Sequence, residues 1–227
     1  MARASMAGAE RHENQDLMAD RAHEGLLARL RDGRLRSGAF LSIPMLVETI
    51  GLPIAAVRDA VKRAEAAGLL VVLPKRGVMV MEATPLMTRE CLDLRAILDC
   101  EGARRLIQGG LPPRLATLRR AHEDLRVKAQ RRASTELSPM AIATDLSLHD
   151  LLAEGLQSGL ARRVYAENRD RIAIVQNSRP FLPDRIALAM SEHLAIIDAV
   201  EQLDAEQACQ AVRHHLQQTL RWWGVAG

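Results

Sequence analysis

The sequence predicts a mostly α-helical protein: an N-terminal winged helix-turn-helix domain followed by an all-α, antiparallel six-helix bundle. Three observations carry this prediction. Aromatic residues make up only 2% of the 227-residue chain, so the core must be built from Leu, Ala, Ile, Val and Met. That palette, together with many Arg, favours helices over a β-sandwich. Two short β-prone runs flank Pro74-Lys75-Arg76-Gly77, and beyond Ala83-Thr84-Pro85 the apolar residues recur only at helical spacing.

Residues 1–15 form a polar stretch without an apolar signal-peptide core and read as a disordered tail. A first helix is expected from about Asp16 to Asp32, with Leu17, Ala22, Leu26, Leu27 and Leu30 on its buried side and Gly33 ending it. Ser42 is a good N-cap for a second helix, in which Pro44 is tolerated in the first turn and Leu46, Val47 and Ile50 face inward. The third helix, about 53–67, buries Ile54, Val57, Ala60, Val61 and Ala64, and Gly68 closes it. Leu69–Leu73 and Val78–Met81 then form a hairpin around the Pro/Gly turn. Residues 16–82 thus have the layout of a winged helix-turn-helix with a basic turn as its wing. Residues 83–227 hold six helices, at about 85–108, 113–132, 138–157, 160–177, 183–202 and 204–223. They are separated by breaks such as Gly109-Gly110 with Pro112-Pro113, and Pro180 to Pro183.

Charge is uneven. The first 80 residues hold 12 Lys/Arg against 9 Asp/Glu, whereas the rest hold 19 of each. A basic bias confined to the N-terminal domain permits nucleic-acid contact there. Cys91, Cys100 and Cys209 are odd in number with no CxxC spacing, which points to a reducing compartment with neither a disulfide framework nor a thiolate zinc site. No apolar run approaches the roughly 20 residues of a membrane span. A cytoplasmic location without membrane contact is the resulting expectation.

Four ionisable side chains interrupt the apolar stripes of the bundle. Asp145 and His149 share a face with Ile142, Leu152 and Leu156; His193 falls between Met190 and Ile197; His215 follows Ala208 and Val212. Burying such groups is costly unless a partner charge or a metal compensates. Three imidazoles and a carboxylate converging in a bundle would suit a divalent ion. The alternative is a hydrogen-bonded core cluster, with His149 paired to Asp145. His214, the rival of His215, falls on the polar side of its helix with Gln207, Ala211 and Gln218, and His12, His23 and His122 sit in polar stretches and are expected to be solvated. Arg95 could pair with Asp99 at i, i+4.

Leu41-Ser42, Leu46, Glu48, Gly51-Leu52, Val57-Arg58-Asp59-Ala60, Arg63, Glu65, Gly68-Leu69, Arg76-Gly77 and Val80 together resemble the DNA-binding domain of GntR-type transcriptional regulators. In the second half, Arg95, Asp145-Leu146-Ser147-Leu148-His149, Glu192-His193, Ile196, Ala199, Asp204 and His215-Leu216 resemble the FCD effector domain of the FadR-like subgroup. Six helices instead of seven match its shorter, VanR-like form. The resemblance implies that Asp145, His149, His193 and His215 bind a divalent ion such as zinc, nickel or manganese. It also implies a small carboxylate effector, an organic or sugar acid, completing the coordination, with Arg95 facing it as a bidentate clamp. A homodimer docking on a palindromic double-stranded operator is implied as well, with Arg34, Arg36, Ser42, Arg58, Lys62, Arg63, Lys75, Arg76 and Gly77 as the DNA-binding set.

One departure stands out. The family usually opens its recognition helix with Ser-Arg-Thr-Pro, where this chain has Pro53-Ile54-Ala55-Ala56. Loss of the capping Ser removes roughly 1 kcal/mol of helix stability, and Ile54 and Ala55 cannot hydrogen-bond bases or phosphates. Three readings follow: a ligand-responsive transcriptional regulator, expected to act as a repressor; a metal-dependent small-molecule enzyme; and a regulator-derived sensor with weakened DNA binding. The first leads, because no further Glu or His is placed as a general base and an enzyme would leave the DNA-binding half unexplained.

Overall fold

The structure, a computed structural model, describes residues 2–179 and 182–225, with side chains described from Asp16 onward. The chain forms two compact units, Met1–Ala83 with Ala173–Ser178, and Thr84–Ile172 with Arg179–Gly227.

In the first unit helix α1 spans Ala2–Arg31. It reaches back through the stretch expected to be a frayed tail, in keeping with the Ala, Met, Arg and Glu that dominate it. His12 lies where side chains are not described. Strand β1 (Phe40–Leu41), helices α2 (Ile43–Ile50) and α3 (Ile54–Ala66), and strands β2 (Leu70–Leu73) and β3 (Gly77–Val80) follow. The sheet order is β1-β3-β2, antiparallel throughout, with Phe40 opposite Met79 and Leu70 opposite Val80. β1 is two residues long, too short to show any alternation in the sequence. Leu26, Leu30, Leu46, Val57, Ala60, Val61, Ala64, Leu69, Val78 and Val80 form the core, each buried large side chain contributing on the order of 1.5–3 kcal/mol.

Capping separates the two central helices. Ser42 Oγ accepts the Met45 N–H at the start of α2, whereas α3 begins at Pro53 with no side-chain cap. Gly77 has a positive φ of 106°. A Cβ there would meet the Leu41 carbonyl oxygen at 2.4 Å, so only glycine lets β3 lie this close to β1.

The second unit is the bundle: α4 (Pro85–Gly109), α5 (Leu115–Arg131), a 3₁₀ turn (Thr135–Leu137), α6 (Ser138–Glu154), α7 (Gly159–Ser178), α8 (Pro183–Glu201) and α9 (Ala205–Trp222). The last residues of α7 belong to the first unit, where Asn177 Nδ2 donates to the Arg31 carbonyl at 2.7 Å and satisfies the open end of α1. Thr84 and Asp204 cap α4 and α9. α8 packs on α5 and α9, and α4 on α6 and α9. Leu148, Leu151, Leu152, Ile196, Ile197 and Val200 fill the centre. α4 and α6 cross at two glycines. A Cβ on Gly102 would lie 2.1 Å from the Leu152 carbonyl oxygen, and one on Gly155 2.1 Å from that of Gly102. This contact brings the polar face of α4 against Asp145 and His149.

Four expectations are corrected. Leu17 and Ile54, placed on the buried faces of α1 and α3, are both exposed, at the open outer edges of those faces. Cys100 of α4 and Cys209 of α9, 109 residues apart, are paired as a disulfide, with Cα atoms 4.8 Å apart. Spacing rules look for neighbours in sequence, but here helix packing supplies the neighbour. His122 of α5 is fully buried instead of solvated. Among the described residues no helix is long and apolar enough to cross a membrane.

Candidate functional site

Asp145 and His149 stand one turn apart on α6, and α8 and α9 bring His193 and His215 to the same point. One ligand atom from each, an imidazole nitrogen or a carboxylate oxygen, lies within 4.8 Å of all the others, and all four residues are buried. His193 Nε2 is 3.2 Å from His215 Nε2 and 3.4 Å from Asp145 Oδ1. His149 Nε2 stands 4.0 Å from Asp145 Oδ2, too far for a hydrogen bond.

The far side of two of these rings is already engaged. His149 Nδ1 lies 2.7 Å from Asp99 Oδ2, and His215 Nδ1 lies 2.8 Å from Glu192 Oε2. Carboxylates accept only, so each Nδ1 carries the proton and donates it. The Nε2 lone pairs of His149 and His215 therefore point inward. Arg185 holds Glu192 from behind with a two-pronged contact of 2.7 and 2.5 Å.

His215 Nε2, without a proton, can only accept, so in the metal-free cluster His193 Nε2 donates across the 3.2 Å contact, a proton that a bound divalent ion would displace. His149 Nε2 is buried with no hydrogen-bond partner among the described residues. A divalent cation answers this deficit directly, and carboxylate–histidine pairs behind the ligands are the usual means of orienting them. The residues present fit such an ion. Burial, and the neighbouring rings and Arg95, hold His193 well below the ordinary histidine value. Burial also lowers His215, against an opposing pull from Glu192. Both rings thus stay neutral, the form that ligates metal. Burial pushes Glu192 up, but hydrogen bonds from His215 and Arg185 outweigh it and keep its carboxyl ionised below its ordinary value.

Arg95 is buried beside the cluster, its Nη1 3.6 Å from Asp145 Oδ2. The pairing with Asp99 considered from the sequence does not form, since Asp99 is turned to His149 instead. His214 is exposed, in keeping with its place on the polar side. Sequence reasoning gave Arg185 no role, offered Asp99 only as a partner of Arg95, named Glu192 only within the family pattern and read His122 as solvated. His122 Nδ1 donates to the Leu118 carbonyl at 2.8 Å, and its ring lies 5.3 Å from that of His193. Its signal was present: Leu115, Leu118, His122, Leu125 and Ala129 form an apolar stripe at helical spacing. Asp99 interrupts a similar stripe of Leu92, Ala96, Ala103 and Leu106.

In the first unit, Arg36, Arg58, Lys62, Lys75 and Arg76 are exposed. Two other members of the basic set are held within the unit. Arg63 contacts Asp20 at 2.6 Å and Asp59 at 2.7 Å, and Arg34 contacts Asp32 through Nε at 2.7 Å. Ser42 is spent on its helix cap and Gly77 is required by the packing of β3.

A winged helix-turn-helix joined to an all-helical domain with a buried polar centre defines a class, the two-domain regulators that read DNA and sense a ligand. The chain belongs to the GntR family of bacterial regulatory proteins: that family's model matches residues 18–80 and the FCD domain matches residues 90–218. It is a transcriptional regulator with an FCD effector-binding domain, not an enzyme. Among solved structures it is similar to E. coli McbR/YncC, at 19% identity and a TM-score of 0.74 over 90% of this chain and 95% of that one. It is also similar to a putative GntR transcriptional regulator from Rhodococcus sp. RHA1, at 22% identity and a TM-score of 0.71 over 91% and 97%. At these identities the likeness establishes the fold. No curated protein sequence matches significantly.

Proposed function

We propose that the bundle holds one divalent metal ion through Asp145, His149, His193 and His215, and that a small carboxylate effector binds beside it against Arg95. One observation carries this reading: four buried ligand atoms lie within 4.8 Å of one another, and the two rings with assigned tautomers turn lone pairs inward. When bound, the ion supplies a fixed positive charge to which a carboxylate can add. Asp99 and Glu192 hold their rings in the ligating tautomer, and Arg95 offers a buried guanidinium for the acid. The winged domain of a homodimer docks on a palindromic operator, with α3 in the major groove and the 74–77 turn beside it. The effector acts by favouring one arrangement of the DNA-reading domains over another, to the extent of its differential affinity. Metal analysis with a thermal-shift series of organic and sugar acids tests this. A stoichiometric ion, and an acid that raises the melting temperature of the loaded chain but not of Arg95→Ala, is the expected result.

A second reading, a sensor with weakened DNA binding, is favoured by the uncapped start of α3, the exposed Ile54 and the internal ion pairs of Arg34 and Arg63. Fluorescence anisotropy on DNA flanking its own gene, at low and physiological salt, separates the two. Nanomolar specific binding would exclude the second.

A further inference from the structure

Outside the polar centre, the α4–α9 seam carries a second chemical feature. Cys100 and Cys209 are both half-buried and line an open groove of about 670 Å³, together with Ile97, Leu216, Arg104 and Arg213. Their Cα atoms, 4.8 Å apart, stand within the span that a disulfide bridges without backbone movement. The helices hold them at that distance, so the bond can open and close with little rearrangement. Each cysteine is followed four residues later by an arginine lining the same groove, Arg104 for Cys100 and Arg213 for Cys209. Arg104 is ion-paired to Glu101, and Asp93 and Glu206 also line the groove, so the cationic charge that favours a thiolate comes from Arg213. The third cysteine differs: Cys91 is buried, and burial pushes its thiol up.

The seam also adjoins the polar centre through the backbone. Cys100 follows Asp99, the carboxylate that orients His149, and α4 carries Arg95 as well. Cys209 precedes His215 on α9 by less than two turns. A bond between the two cysteines ties the helix bearing an orienting carboxylate to the helix bearing a candidate ligand. A regulator that must meet DNA works where disulfides are seldom permanent and, when present, are mostly transient or redox-sensing.

We propose that Cys100 and Cys209 form a reversible thiol–disulfide site that exchanges with low-molecular-weight disulfides entering the α4–α9 groove, and that the closed bond stiffens the frame of the metal cluster. The first half stands alone; the second rests on the metal reading above. In the closing direction, one cysteine thiolate attacks a sulfur of the small disulfide, forming a mixed disulfide and expelling one thiolate, which takes up a proton. The second cysteine's thiolate attacks the protein-side sulfur of that mixed disulfide, and the other small thiolate leaves. Two protein thiols give up two protons and two electrons, and one small disulfide becomes two thiols.

The test equilibrates the full chain in glutathione buffers of graded oxidised-to-reduced ratio, quenches with acid, alkylates and reads each cysteine by peptide mass. Cys100 and Cys209 are expected to lose alkylation together, by more than about tenfold across the series, in an intrachain link, while Cys91 stays constant. Thiols that remain alkylated throughout, a bond that resists the most reducing buffer, a stable mixed disulfide or a link between chains would each overturn the exchange. Zinc affinity of the reduced and oxidised chains, measured by chelator competition after removal of glutathione, reads the second half. Reduction is expected to weaken it about tenfold, at the lower end of outer-shell effects. Cys100→Ser and Cys209→Ser should match the reduced chain in either buffer, and Cys91→Ser should behave as the parent. Equal affinities in the two states overturn the stiffening and leave the exchange standing. No zinc binding in either state overturns the stiffening together with the metal reading, again without touching the exchange.

Discussion

The bundle and the winged domain put charged groups to opposite uses. In the bundle, Asp145, His149, His193, His215 and Arg95 are turned inward, out of water, with a second layer of carboxylates behind two of the rings. In the winged domain the basic residues are turned outward, and two of them, Arg34 and Arg63, are already held by neighbouring aspartates. Inward groups pay a desolvation cost that only a cation or a close-fitting partner offsets, so their arrangement is informative. Outward groups cost little to keep, and surface ion pairs are worth about 0–1 kcal/mol, so their arrangement constrains function less. The polar centre is therefore the better-determined half of the molecule.

The largest effects should follow from removing an inward ligand. His193→Ala is expected to lower divalent-metal affinity by more than about 100-fold, beyond the range of outer-shell changes, as read by metal content after dialysis. Next come the orienting groups. Asp99→Asn and Glu192→Gln should each cost about 10- to 100-fold in metal affinity while leaving the fold intact. An unchanged affinity in both would show that the second layer is only structural.

Acid should act on the same groups. Burial holds His122, His193 and His215 below the ordinary value of 6.5. Below about pH 6.5 the unfolded chain therefore binds protons that the folded chain refuses. The stability of the metal-free chain is fully present above that pH and is lost as pH falls toward the depressed folded values. Each group contributes up to about 1.4 kcal/mol per pH unit. A melting temperature that does not drop between pH 7.5 and 5.5 would contradict neutral burial.

The winged domain should give smaller changes. Arg58→Ala should weaken operator binding and reduce its salt dependence by about one counterion, whereas Arg63→Ala, already ion-paired to Asp20 and Asp59, should weaken it less. Equal losses would mean that Arg63 leaves its partners to meet DNA. Ser42→Ala, which removes the α2 cap, should cost about 1 kcal/mol of stability, read by chemical denaturation.

Much of this was legible in the sequence, for physical reasons. The six bundle helices were placed within a few residues because glycine, proline and capping residues such as Thr84 and Asp204 mark their ends. The four inward ligands showed themselves as polar breaks in apolar stripes, and the same criterion would have revealed Asp99 and His122. β1 was missed because two residues carry no period. The Cys100–Cys209 pair was missed because it depends on α4 lying against α9, which no local pattern encodes. The same holds for the capture of Arg63 by Asp20, set by the packing of α1 on α3.

The account turns on whether the inward cluster holds a cation. Elemental analysis of the purified full chain after dialysis against metal-free buffer, beside the His193→Ala variant shown to be folded by circular dichroism, asks this directly. One divalent ion per chain, absent from the variant, is the predicted result. A parent chain without metal that also takes up none on titration, or a variant that keeps its full complement, would contradict it.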